Sequence, residues 1–116
     1  MVADQIGAPT WAGTIAKATA ELIEHWHSGQ PGPWGTYHLT GQGDTSWFGF
    51  AQAIAEQLRQ QGKPCARLEA IPSSAYPTPA QRPLNSRLDC SRLQRDWHIH
   101  LPDWQTALQE CLASPR

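Results

Sequence analysis

Between Tyr76 and Ser86 the chain reads YPTPAQRPLNS, which sets a phenol (Tyr76), a guanidinium (Arg82), a carboxamide (Asn85) and a hydroxyl (Ser86) among Pro77, Pro79 and Pro83. Each proline fixes φ near −65° and donates no N–H, so the stretch can be neither a helix interior nor a central strand. A stiff, extended loop is expected, with polar tips suited to an anionic, hydroxyl-rich ligand. Arg82 is the choice for the anion, because a guanidinium meets two phosphate oxygens at once and the flanking Pro79 and Pro83 limit the backbone freedom lost on binding. Arg87, Arg92 and Arg95 fall where a strand end or helix surface gives a solvated charge an ordinary home. The competing reading is a plain connector, with proline restricting the unfolded chain and Arg82 in a surface ion pair.

Other residues that could do chemistry do not converge. His25 and His27 lie on a predicted helix, where a spacing of two turns them to different faces, and His98 and His100 share a face only if extended, so no metal is expected. Cys65, Cys90 and Cys111 are odd in number and widely spaced, which suggests neither a disulfide framework nor a CxxC site. Reduced thiols are expected, with Cys111 in a core. Asp4, Asp44, Asp89 and Asp96 form no evident acid/base pair, and capping or solvation accounts for them. The turn Gly41-Gln42-Gly43-Asp44-Thr45-Ser46 has Ser46 where a dinucleotide fingerprint needs its third glycine, so it reads as a strand-to-helix turn capped by Thr45 or Ser46.

The elements that must position the loop follow from periodicity. Val2–Pro9 reads as an extended segment entering a tight turn at Gly7, with Thr10 as helix cap. A helix is expected over 10–28 with Trp11, Ile15, Ala18, Leu22, Ile23 and Trp26 inward, ending near Gly29; a second over 46–61 with Trp47, Phe50, Ala51, Ile54 and Leu58 inward, ending at Gly62; and a third over 102–113 with Trp104, Leu108, Cys111 and Leu112 inward. Alternation places short strands at 35–40 and 65–71, the latter delivering the proline loop. Asp89 is a candidate cap for a short helix around Leu93. Trp11, Trp26, Trp47 and Trp104 are read as core, and Trp34 and Trp97 are left undetermined.

One domain is expected from 116 residues, long enough to bury a core without staples. A formal net charge of −1 argues against nucleic acid or an anionic membrane recognised by bulk charge. No apolar run approaches a membrane span and the N-terminus lacks a signal-peptide layout, so a cytoplasmic protein is expected.

Taken as blocks, the sequence resembles a known family. YPTPAxRPxNSxLD, at Tyr76 to Asp89, looks like the C-terminal signature of the dTDP-4-dehydrorhamnose reductases of the extended short-chain dehydrogenase superfamily. Asp4-Gln5-Ile6-Gly7-Ala8-Pro9-Thr10 is similar to the family's DQxGxPT turn, Tyr37-His38-Leu39 with Gly41 to its YHLxG strand end, and Thr45-Ser46-Trp47 to the helix start that follows. The departures are Cys90, where threonine is common, and Arg92, where lysine is common.

The resemblance implies a small, mixed α/β substrate-binding domain covering residues 1–116, with about three main helices, a few short strands and no N-terminal Rossmann half. It also implies Gln5, Gly7, Pro9, Thr10, Tyr76, Thr78, Arg82, Asn85 and Ser86 as sugar-nucleotide-binding residues, and an NADPH-preferring activity that reduces a 4-keto dTDP-sugar to dTDP-L-rhamnose. The family's catalytic tyrosine and its lysine four residues later are not supplied here, since Tyr37 is followed at that spacing by Gly41 and Tyr76 by Ala80. No catalytic, cofactor-binding or metal-binding residue is therefore expected in this chain, and NADPH is expected on a missing or separate Rossmann half. The implied partners are a dTDP-sugar, that half, and a second copy through the patch the half would cover. The alternative is a non-catalytic sugar-nucleotide-binding or protein-interaction module.

Overall fold

A computed structural model describes residues 1–114. The elements run β1 (Ile6–Gly7), α1 (Ala12–His27), β2 (Thr45–Ser46), α2 (Trp47–Gln60), α3 (Ser91–Trp97) and α4 (Trp104–Ala113), with one turn of 3-10 helix at Ser73–Ala75 between α2 and α3. The chain divides into two units, one built from Met1–Pro9 with Asp44–Arg87, the other from Thr10–Gly43 with the chain from Leu88 onward. The mixed α/β class and the three main helices expected from periodicity are present.

In the first unit the N-terminal segment is the common partner. β1 pairs antiparallel with β2, Ile6 opposite Ser46 and Gly7 opposite Thr45, while single parallel bridges join Val2 to Ile71 and Ile6 to Asn85. α2 begins where the Ser46 hydroxyl accepts from the Gly49 N–H at 2.9 Å, as the cap reading requires. It ends in a Schellman motif: Gly62, at φ +72°, donates to the Arg59 carbonyl and Lys63 to that of Leu58. Ala55 is its buried residue, and Trp47, expected inward, is 55% exposed.

In the second unit, α1 buries Thr14 and Ala18 and half-buries Leu22, a stripe of four-residue steps. Ile15, Ile23 and Trp26, expected inward, lie on the neighbouring stripe and are exposed. Thr10 does not cap this helix: Trp11 holds the cap position without a side-chain bond, and the Thr10 hydroxyl accepts instead from the Gly41 N–H at 3.0 Å. α3 stops at His98, a non-glycine residue at φ 57°, and this left-handed step sends Ile99 and Leu101 into a core with Ala18, Leu93 and Trp97. Of the two tryptophans left undetermined, Trp97 is thus core, while Trp34 is exposed. α4 starts two residues later than expected, where the Asp103 carboxylate accepts from the Thr106 N–H and hydroxyl. Trp104 and Leu108 are buried on it and Cys111 is half-buried.

The expected strands at 35–40 and 65–71 are not formed. The alternation at 35–40 survives, with Tyr37 and Leu39 half-buried and Thr36 and His38 exposed, but a strand needs a run of main-chain partners, and what these stretches show among the described residues is one bridge, Ile71 to Val2, and one bond from the Met1 amine to the Glu69 carbonyl. Leu93 and Ile99, at 2% and 1% exposure, are the tightest core positions. Leu93→Ala or Ile99→Ala is expected to lower unfolding free energy by about 2–5 kcal/mol, read from denaturant midpoints, whereas Ile15→Ala should change it by less than about 1 kcal/mol.

Candidate functional site: the proline loop and its base

The loop from Pro72 to Ser86 is anchored at both ends by the same N-terminal segment. Upstream, Ile71 donates to the Met1 carbonyl at 2.9 Å and accepts from the Ala3 N–H at 2.8 Å. Downstream, Ile6 donates to the Leu84 carbonyl and accepts from the Ser86 N–H, each at 2.8 Å. Met1 and Ala3 at one end and Ile6 at the other, all on one extended stretch, thereby hold a loop that has no ladder of its own. Gly7 passes close to the returning loop: a β-carbon there would lie 2.7 Å from the Ser86 hydroxyl, which would have to turn away from it.

Asp4 adds a side-chain anchor. Its two carboxylate oxygens each lie 3.0 Å from the Ser73 N–H, and Oδ1 also accepts from the Ser73 hydroxyl at 2.6 Å. The Gln5 side chain donates to that same hydroxyl at 3.1 Å. The 3-10 turn Ser73–Ala75 has no local side-chain cap, so Asp4 caps it from about seventy residues away in sequence. The Ser73 hydroxyl first, and then its N–H, hold the Asp4 carboxyl below the usual carboxylate range.

Of the expected binding residues, the structure brings Gln5, Gly7, Asn85 and Ser86 to the loop base and carries Tyr76, Thr78 and Arg82 on the exposed loop. Tyr76 is 63% exposed. The Thr78 hydroxyl donates to the Ala80 carbonyl at 2.7 Å, stiffening the bend between Pro77 and Pro79. The Asn85 carboxamide oxygen accepts from both the Arg87 N–H and its Nε at 3.0 Å, and the Ser86 hydroxyl donates to the Ile6 carbonyl at 3.1 Å, so both have structural tasks at the base. Pro9 is half-buried beside the turn, and Thr10 belongs to the other unit, where it holds Gly41.

Of the four arginines from Arg82 to Arg95, three have charged partners. Arg87 pairs with Asp44 at 3.3 Å; Arg92 pairs with Asp96 at 3.5 Å and lies 4.8 Å over the Tyr37 ring; Arg95 pairs with Asp96 at 3.3 Å. Arg82 is exposed and, among the described residues, makes no hydrogen bond or ion pair. Its guanidinium is thus uncommitted on a backbone already restrained. Capping was one of the two accounts given for Asp4, but Ser73 as its partner was missed, because spacing holds no signal for residues that meet only through tertiary structure.

The second unit carries a separate apolar cleft of about 300 Å³ walled by Leu22, Ile23, Trp26, Trp34, Tyr37 and Trp97. Its indoles meet edge to face, Trp34 standing 6.2 Å from Trp26 and 5.7 Å from Trp97. No group of three His, Cys, Asp or Glu side chains suited to a metal occurs among the described residues, and no helix among them is long and apolar enough to cross a membrane.

A family model described as the RmlD substrate binding domain matches residues 1–116. The chain belongs to this family. It is 41% identical to a dTDP-4-dehydrorhamnose reductase of Escherichia coli K12, over 97% of this chain and 38% of that protein. It is 45% identical to one from Burkholderia thailandensis, over 97% of this chain and 40% of that protein. Among solved structures, the dTDP-4-dehydrorhamnose reductase of Bacillus anthracis in complex with NADP superposes with a TM-score of 0.78 at 27% identity, covering 97% of this chain and 36% of that one. An enzyme of the same name from Clostridium acetobutylicum gives 0.74 at 26% identity, covering 97% and 38%. The RmlD substrate-binding chain thus spans about two fifths of the length of these relatives.

The turn that carries Gly41 and Gly43 departs from a dinucleotide fingerprint. At the glycine-containing turn before α2, Ser46 stands in the third-glycine position and its hydroxyl is spent on the Gly49 N–H.

The Asp4 anchor has a pH signature. Because its folded pKa is lowered from 3.8, its contribution is complete above that value and is lost as pH falls through the folded pKa. Amide exchange at Ser73 to Tyr76 should therefore accelerate beyond the intrinsic pH trend as pH falls below about 3.8, and Asp4→Asn should flatten that extra acceleration.

Proposed function

We propose that this chain is the substrate-binding part of an NADPH-dependent dTDP-4-dehydrorhamnose reductase, a cytoplasmic enzyme that reduces a 4-keto dTDP-sugar to dTDP-L-rhamnose. In this reading the loop 76–86 receives the sugar nucleotide, with Arg82 on the diphosphate, Tyr76 and Thr78 beside it, and Gln5, Gly7, Pro9, Thr10, Asn85 and Ser86 shaping the site. The observation that carries it is the uncommitted Arg82 guanidinium on a proline-stiffened loop whose base is fixed, within a family whose relatives bear the reductase name. A diphosphate is the strongest fixed charge of a sugar nucleotide, and a guanidinium can meet two of its oxygens with parallel hydrogen bonds. Hydride transfer is assigned to a companion dinucleotide-binding half, which supplies NADPH and the catalytic tyrosine and lysine. The residues of this chain bind and orient the substrate.

The chain alone is expected to show no NADPH oxidation above a boiled control when the dehydrorhamnose sugar nucleotide is added, and mixing it with a companion Rossmann half should restore turnover. A free-standing binding module would gain nothing from the mixture. Arg82→Lys in the reconstituted pair should weaken dTDP-sugar binding by roughly five- to a hundredfold, the range for hydrogen bonds to charged groups, while NADPH affinity holds. Unchanged sugar-nucleotide affinity by calorimetry would remove Arg82 from the site.

Self-association belongs to the same reading. Ile23, Trp26 and Trp34 are 56%, 59% and 71% exposed around the apolar cleft, more apolar surface than an isolated unit leaves in water without consequence. Sedimentation of the chain alone should show concentration-dependent dimers or larger species that Trp34→Ser reduces; a strictly monomeric chain would count against it.

A further inference from the structure

Arg82 and Tyr76 can act together only if both arms of the loop are held, and the two arms are held by different means. The downstream arm, Leu84 to Ser86, is fixed by main-chain bonds to Ile6. Beyond Ile71, whose main chain pairs with Met1 and Ala3, the upstream arm makes only local main-chain bonds, Ala75 donating to Pro72 and Tyr76 to Ser73, both at 3.0 Å, so the 3-10 turn has no main-chain bond to the N-terminal segment that would stop it pivoting as a body. What stops the pivot is Asp4, through the Ser73 N–H and hydroxyl, with Gln5 on the far side of that hydroxyl.

We propose that Asp4 is a positioning residue for sugar-nucleotide binding, clamping Ser73 so that Tyr76 stands at a fixed place relative to Arg82 across the loop. This rests on the reading of residues 76–86 as the sugar-nucleotide loop.

The clamp is chemically specific. A carboxylate is acceptor-only, so both oxygens can face the Ser73 donors, and the Ser73 hydroxyl can donate to Asp4 while accepting from Gln5. An asparagine at position 4 keeps one acceptor and turns an NH2 toward donors it cannot satisfy. The clamp also carries little of the core. Ser73 and Asp4 are only half-buried, and neither the Ala55 face of α2 nor the β1–β2 pair runs through them. Loss of the clamp should therefore misplace the upstream arm without unfolding the unit.

The test uses the reductase assembled from this chain and its dinucleotide-binding half. Asp4→Ala should raise KM for the dTDP-4-keto sugar about tenfold, the equivalent of one charge-assisted hydrogen bond, with kcat and the KM for NADPH within about twofold of wild type. Ser73→Thr, which keeps the hydroxyl and the N–H, should stay near wild type, and Ser73→Ala should fall between. In the same variants, hydrogen exchange should quicken at Ser73 to Tyr76 in Asp4→Ala and stay unchanged at Leu84 to Ser86. An unchanged KM together with unchanged exchange overturns the proposal, as does exchange that quickens equally in both arms, which would mark a general loss of structure. If the wild-type assembly itself is inert, the reductase reading falls while the exchange pattern still decides the clamp: quickening confined to Ser73 to Tyr76 supports it, and its absence overturns it.

Discussion

The first unit depends on one constraint: a seven-residue extended segment, Met1 to Gly7, must satisfy the main chain of several stretches that have no partner among themselves. Ile71, Leu84, Ser86, Phe48 and the β2 pair all find their hydrogen bonds on it. A buried or half-buried peptide group left without a partner is costly, so each stretch is drawn to the same template and the loop 72–86 emerges with its ends side by side. The polar tips at Tyr76 and Arg82 owe their placement to this backbone arrangement more than to any contact of their own.

The second unit is organised differently, by apolar packing. Ala18, Leu93, Trp97, Ile99 and Leu101 form its centre, and the left-handed step at His98 allows two neighbouring segments to contribute to one cluster. Around that centre the large aromatic side chains are arranged edge to face, and several keep one face in water. The Tyr37 hydroxyl sits 3.1 Å from an Asp96 oxygen and also reaches the Pro33 carbonyl, so the aromatic group is tied at its polar end as well as packed at its apolar one. Burial raises the pKa of Asp96, yet it stays below the ordinary value because the hydrogen bonds from Tyr37 and Arg95 outweigh that cost.

How much of this was legible in the sequence depended on the range of the interaction. The helices were legible because their signals are local: the Ser46 cap, the glycines at 29 and 62 in left-handed closing turns, and apolar residues recurring at helical spacing. The proline loop was legible for the same reason, since proline restricts its own residue whatever surrounds it. What failed was everything set by a distant partner. Thr10 looked like a cap and instead serves Gly41; the alternation at 35–40 looked like a strand and finds no neighbour; Trp26 and Trp47 looked like core because a helical stripe of apolar residues does not say which of its two edges will be covered. Asp4 was read as one of four carboxylates accounted for by capping or solvation, and the turn that it caps was not legible because Ser73 lies far from it in sequence. The binding role proposed for the loop rests mainly on family blocks, and the structure adds that Arg82 on it is uncommitted.

A loop whose two ends are pinned to one short segment behaves as a cassette. The entropy of closing it is met at the base, by the bonds of Ala3, Asp4 and Ile6, and does not depend on what lies between Pro77 and Pro83. The tip can change in length or side chains with little effect on the helices, because its residues are exposed and contribute nothing to either core. In such an architecture, exchanging the tip between related proteins is a graft onto an intact stem.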